Sequence, residues 1–157
     1  MSIKKFEEPE ALNGVSEFHE LFDMPVLDRP QIPAAERCAL RLSLLEEELK
    51  ELRQAIEDQD ITEVADALCD LQYVLSGAIL EFGLGAKFKS LFDEVQRSNM
   101  SKACASHDEA LETREKYLRE KNTNSEIRQK GDKFLVYRSE DGKVLKSVNY
   151  SPASLIL

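Results

Sequence analysis

The sequence predicts an all-α fold, a bundle of four to five helices with a small β-hairpin appended at its C-terminal end. Three observations carry this. Apolar residues recur at helical spacing through successive segments between about residues 9 and 100, Pro and Gly gather between those segments, and the last third ends in short apolar runs flanking an Asp-Gly turn. At 157 residues the chain fits one domain, with a helical core over about 9–102 and a charged helix and hairpin tail over about 103–157.

The first helix is expected from about Pro9 to Phe22, where Leu12, Val15, Phe18 and Phe22 share a face. Pro25, Pro30 and Pro33 then impose an extended connection, and Pro33 suits the first turn of the second helix. That helix runs to about Glu57, with Leu42, Leu45, Leu49, Leu52 and Ile56 as its expected buried seam. Asp60 caps the third helix, and Glu63 stands in capping-box relation to it. Val64, Leu68, Leu71, Leu75 and Ile79 line one face as far as Phe82 or Leu84, and Gly83 and Gly85 end it. A fourth helix, AKFKSLFDEVQRSNM, is expected to bury Phe88, Leu91, Phe92 and Val95. HDEALETREKYLREK follows as a charged helix, and Phe134–Tyr137 pairs with Val144–Val148 across Asp141-Gly142.

Composition narrows the function classes. Apolar residues make up 42% and charged residues 32%, the balance of a folded chain. Lys and Arg number 21 against 30 Asp and Glu, a net charge of -9. This opposes nucleic-acid binding, which needs a basic surface, and a phosphorylated ligand would need a cation to mediate the contact. Cys38, Cys69 and Cys104 have no framework spacing. Cys38 and Cys69 fall within helical apolar patterns and are expected to be buried free thiols in a reducing, cytoplasmic setting. No apolar run is long enough to span a membrane, and no signal-peptide core precedes the first helix.

The acidic residues are patterned. At about 100° per residue, Glu47, Glu48 and Glu51 of LLEEELKEL fall within one narrow arc beside the leucine seam. On the next helix Glu63, Asp66 and Asp70 form a stripe that continues through Tyr73 to Gly77. Face to face, the two arcs gather up to six carboxylates at the rim of the core. Like charges so placed either face water or are neutralised by divalent cations. Position i+4 after Asp66 holds Asp70, and after Asp70 holds Val74, so neither aspartate has the basic partner typical of a solvated face. Hard oxygen donors favour magnesium, with manganese as substitute, over zinc or copper.

The strings LLEEELKEL, VADALCDLQYVLSGA and FDEVQRSNMSK, in this order over roughly residues 36–102, resemble the MazG-like, all-α nucleoside triphosphate pyrophosphohydrolase superfamily, which includes phosphoribosyl-ATP pyrophosphohydrolase. DGKVLKSVNYSPASL is similar to the C-terminal end of a phosphoribosyl-ATP-pyrophosphohydrolase-like subgroup. The family pattern is ExxE on one helix and ExxD on the next, holding magnesium. Glu48 and Glu51 match the first pair, with Glu47 beside them. For the second, Glu63 and Asp66 spell ExxD. Alignment on DLQYVLSGA instead makes Asp70 the aspartate and puts Ala67 where the glutamate belongs, with Asp66 as its substitute. We favour Asp66 and Asp70.

The resemblance implies hydrolysis of a nucleoside triphosphate between its α and β phosphates, giving monophosphate and pyrophosphate. It implies that Glu47 or Glu48 accepts the water proton, that Asn99, Lys102 and, less strongly, Arg97 lie near the phosphates, and that the chain forms a homodimer or homotetramer. From the residues alone, Asn99 and Lys102 read rather as a helix C-terminal cap with a favourable dipole contact. Likewise Tyr73 reads as a half-buried core residue, Gly77 as a point of close helix approach, His19 as a packed or surface side chain, and Arg41 as a partner for a carboxylate. Substrates carried forward are NTPs and dNTPs, with dUTP and non-standard nucleotides among them, or phosphoribosyl-ATP. A non-catalytic helical dimerisation module is the alternative outside the enzymes. A di-iron bundle is excluded, because Ser16 and Cys104, not Glu, stand three residues before His19 and His107.

Overall fold

The computed structural model describes residues 3–157. Five α-helices and one two-stranded antiparallel hairpin make up an all-α chain, in the order α1 (Ala11–Leu21), α2 (Ala35–Glu57), α3 (Ile61–Glu81), α4 (Phe88–Met100), α5 (His107–Lys121), β1 (Ser125–Lys130) and β2 (Lys133–Arg138). A 3₁₀ turn, Gly85–Lys87, precedes α4. The chain divides into two compact units, Met1–Phe88 and Lys89–Leu157. Among the described residues no single helix is long and apolar enough to cross a membrane.

In the first unit α2 packs along α3, and α1 packs against α3. Asp60 caps α3 as expected: its side chain accepts from the backbone N–H of Thr62 (2.9 Å) and Glu63 (3.2 Å). The Asp60 N–H donates to the Ala55 carbonyl, so Glu63 does not close a capping box. Pro33 lies just outside α2, whose first helical residue is Ala35. The connection before α2 is pinned to the end of α3 by Leu27 N–H to Leu80 O (3.0 Å) and Gln31 N–H to Phe82 O (3.1 Å). Gly83, with φ +68°, makes this approach feasible. A Cβ there would lie 2.0 Å from the Arg29 carbonyl oxygen.

Three expectations about this unit are corrected: the α2 seam, the α3 face and the buried thiols. The α2 seam is not buried as a whole: Leu42, Leu49 and Ile56 are 61%, 50% and 59% exposed, and only Leu45 and Leu52 are half-buried. On α3, Ile61, Leu68 and Leu75 are likewise exposed, whereas Ala67, Ile79 and Leu80 are buried. Both exposed sets recur every seven residues, so each helix carries a second apolar stripe besides the one it uses in the unit. Cys69 is exposed and Cys38 half-buried; neither is the buried thiol expected, and the buried one is Cys104.

In the second unit Cys104, Ala110, Val136 and Leu145 form a small core, with Tyr117, Ile127 and Phe134 packed against it. Ser106 caps α5 by accepting from Glu109 N–H (3.1 Å), and the Glu109 carboxylate reaches back to Ala105 N–H (3.0 Å). Phe92 and Val95 of α4 are exposed, against expectation, while Phe88 and Leu91 are half-buried. The hairpin also differs. Its first strand is β1, in register Ile127↔Val136, and its turn is at Gly131-Asp132. The segment after Asp141-Gly142 contributes only an isolated bridge, Tyr137↔Val144. Strand β1 (SEIRQK) has one apolar residue, Ile127, and so gives no alternating signal.

Candidate active site

The helix period brings the acidic residues of α2 and α3 to one locality. Glu48 on α2 feels Glu51 and Glu47 of its own helix and Asp70 and Asp66 of α3. Glu48 is half-buried, and its Oε2 is buried with no hydrogen-bond partner. Burial, then the charges of Glu51, Asp70, Glu47 and Asp66, push its carboxyl above the ordinary carboxylate range. Asp70 is half-buried, and Glu47, Glu51, Glu63 and Asp66 are exposed. Among the described residues none of these six side chains forms an ion pair. Nor are any three His, Cys, Asp or Glu side chains drawn together into a closed ligand cluster. Glu48 thus stands within electrostatic reach of Glu51, Asp66 and Asp70, and among the described residues none of the four forms an ion pair.

Such a set fits a hard divalent cation. It offers carboxylate oxygen throughout, as magnesium and manganese require. The buried Glu48 oxygen is a costly group to leave without a partner. Glu63, whose backbone takes part in the Asp60 cap, lies one to two turns before Asp66 and Asp70 on α3 and is absent from the charges acting on Glu48.

A second acidic centre escaped the sequence reading. Glu81, at the end of α3, is fully buried. It receives Arg37 Nε (3.0 Å) and Arg41 Nε (2.8 Å), and the Nη2 atoms of both arginines as well. Burial pushes this carboxyl up, but the hydrogen bonds and charges of Arg37 and Arg41 outweigh it and hold Glu81 below its ordinary value. His19 completes the centre: its Nδ1 donates to the Pro25 carbonyl (2.8 Å), and Arg41 Nη2 approaches Nε2 at 3.4 Å. His19 is therefore packed, and Arg41 pairs with a carboxylate, though with Glu81 and not with the acidic arc that follows it on α2. Gly77 leaves room for this centre. A Cβ there would meet Arg41 Nη1 at 2.5 Å and His19 Nε2 at 3.1 Å. Tyr73 is 41% exposed and meets Phe18 edge-on at 5.7 Å.

The residues expected near phosphates lie on the second unit. Lys102 Nζ donates to Asn99 Oδ1 (2.8 Å) just after α4. Arg97 is engaged with Glu94 (2.7 and 2.8 Å), Ser151 Oγ (3.0 Å) and the Pro152 carbonyl (3.1 Å), tying residues 151–152 to α4. Arg97 and the Ser154 N–H hold the Glu94 carboxyl down to about 2.

The family model for phosphoribosyl-ATP pyrophosphohydrolase matches residues 15–99, over half of the chain, and spans α1 to α4 with both acidic arcs. The chain belongs to that family. With it, the chain falls within the MazG-like all-α nucleoside triphosphate pyrophosphatase superfamily. An uncharacterized protein of Acanthamoeba polyphaga mimivirus is 38% identical over 69 residues, covering 41% of this chain and 28% of the viral protein. The chain thus accounts for under a third of that relative's length. This member of the phosphoribosyl-ATP pyrophosphohydrolase family keeps Glu48, Glu51, Asp66 and Asp70 inside the matched region, and Lys102 just beyond it.

Proposed function

We propose that this chain is a magnesium-dependent pyrophosphohydrolase that cleaves a nucleoside triphosphate between its α and β phosphates. The observation that carries this reading is the buried, unpartnered Glu48 oxygen amid the carboxylates of Glu51, Asp66 and Asp70. A bound divalent cation, magnesium or manganese, would neutralise the triphosphate and acidify the attacking water. Glu48, Glu51, Asp66 and Asp70 would hold that cation, with Glu63 the less favoured ligand. Glu47, exposed beside them, or an oxygen of Glu48 free of metal accepts the proton of the water as it attacks phosphorus. Glu48's raised affinity for a proton suits that role. The α–β anhydride bond breaks, and monophosphate and pyrophosphate leave. Family resemblance alone supports Asn99 and Lys102 as phosphate contacts, a hydrogen-bond donor and a point charge. Arg97, committed to Glu94 and the C-terminal segment, contributes least.

For the substrate we favour NTPs or dNTPs, including dUTP and non-standard nucleotides. The second reading is phosphoribosyl-ATP, and the description of the matching family favours it. Magnesium-dependent pyrophosphate release across a panel of all these compounds tests the proposal. Release from at least one, abolished by EDTA, is the expected result; no release from any of them would leave a non-catalytic module.

The exposed stripes Leu42/Leu49/Ile56 and Ile61/Leu68/Leu75 support a homodimer or homotetramer, because apolar surface arranged in rows is unfavourable in water. Sedimentation should therefore find a multiple of the chain mass, and Leu49→Asp should shift it toward the monomer. An unshifted or monomeric wild-type profile would contradict this. The three cysteines, free of disulfides, support a cytoplasmic setting.

A further inference from the structure

The charge of this chain is unevenly divided. Residues 1–88 carry eight Lys and Arg against nineteen Asp and Glu, whereas residues 89–157 carry thirteen against eleven. Within the second unit much of that positive charge surrounds one cavity of about 380 Å³. Lys102, Lys121, Lys143 and Lys146 line it together with Arg138 and Tyr117, and no carboxylate does. Arg138 is neutralised by Asp141, to which it donates at 2.7 and 2.6 Å. The four lysines are not. Among the described residues none of them forms an ion pair. Lys102 donates to the neutral amide oxygen of Asn99, Lys121 lies over the Tyr117 ring at 5.3 Å, and Lys146 over the Tyr150 ring at 4.5 Å. Asp141 feels the charge of Lys143, and Glu120 lines an adjoining cavity with Lys121 and Lys146.

We infer that this cavity is a binding site for a condensed phosphate, inorganic pyrophosphate or the polyphosphate chain of a nucleotide. Four lysines that line one cavity and form no ion pair repel one another, and a concave wall rich in one sign concentrates the field on whatever anion enters. Lysines are mobile point charges without arginine's planar fork, so they suit a flexible chain of phosphates better than a flat carboxylate. A condensed phosphate spreads its charge over several groups and engages several lysines at once, which orthophosphate cannot. The small volume and the acidic first unit disfavour a polymer such as nucleic acid. Only Lys102 is shared with the phosphate contacts proposed for hydrolysis, and Lys121, Lys143 and Lys146 lie outside the matched family region.

Calorimetric titration of the full chain with pyrophosphate, tripolyphosphate and orthophosphate, in EDTA at low salt, tests the site. EDTA silences any cation-dependent event at the carboxylates, so failure here would leave the hydrolase reading standing, and failure of that reading would leave this site untouched. Pyrophosphate and tripolyphosphate are expected to bind more tightly than orthophosphate, with affinity falling as salt rises. Lys143→Ala/Lys146→Ala, both exposed positions, should weaken pyrophosphate binding about tenfold or more. The charge-matched Lys50→Ala/Lys130→Ala should bind nearly as the wild type does. No binding of pyrophosphate, equal losses in the two double variants, or tighter binding of a single-stranded oligonucleotide would each overturn the assignment.

Discussion

Glu48→Gln is expected to reduce magnesium-dependent pyrophosphate release by about 10²- to 10⁴-fold, the range of a lost general base or its equivalent, without unfolding the chain. The two halves of this expectation come from one fact. Glu48 is held where burial and four neighbouring carboxylates disfavour its charge. A carboxyl whose folded-state pKa is raised contributes stability that is fully present below its unfolded pKa and lost as pH rises through the folded one. In EDTA, then, the ionised side chain works against the fold at neutral pH. The glutamine variant, free of that charge, should match or exceed the wild type in Tm there and lose the difference in acid. A residue kept only for packing would behave otherwise, with turnover untouched or Tm lowered at every pH.

Glu81→Gln is expected to have the opposite character: a loss of about 3–5 kcal/mol of stability, or on the order of 10 °C in Tm, from removing one partner of a buried charge cluster. Glu81 is fully buried, and Arg41 is 4% exposed, so the amide variant strands a guanidinium in the interior. Here the sign of the pH dependence reverses. The carboxyl is held below its ordinary value, so its contribution is present above the unfolded pKa and lost as pH falls through the folded one. The wild type should therefore approach the variant's Tm in acid. Replacing Arg41 together with Glu81, as Arg41→Met with Glu81→Met, should cost less than the two single losses combined, because only the half-buried Arg37 then lacks its partner. Strict additivity would show that the pair is not coupled.

These two carboxylates also mark what a sequence can disclose. Glu48, Glu51, Asp66 and Asp70 are legible because helix periodicity alone brings them onto arcs of adjacent helices, and the short α2–α3 connection pairs those helices. The cap at Asp60 and the packing of α2 on α3 are legible for the same local reason. Glu81 stands in an apolar segment, and its partners Arg37 and Arg41 are 44 and 40 residues away, so nothing near it announces its role. The α2 leucines read as one buried seam because helical periodicity marks apolar positions but not which neighbour covers them. Leu42, Leu49 and Ile56 face away from the partners that bury Ala55. Cys69 shares the fate of Leu68: a helix apolar on several sides cannot bury all of them within one small unit. Strand β1 was invisible because its order comes from pairing with β2 and from α5, not from its own residues. The basic cavity is assembled from α5, β2 and the segments around Lys102 and Lys143–Lys146, none of them basic enough by itself to stand out.

Manganese titration followed by electron paramagnetic resonance reads out whether the acidic arcs of α2 and α3 share a divalent cation. Wild-type protein should take up Mn²⁺, and Glu48→Gln and Asp70→Asn should each weaken that uptake about tenfold or more, since each lies on a different helix of the same site. Uptake unchanged in both variants, or none in the wild type, would contradict a shared cation.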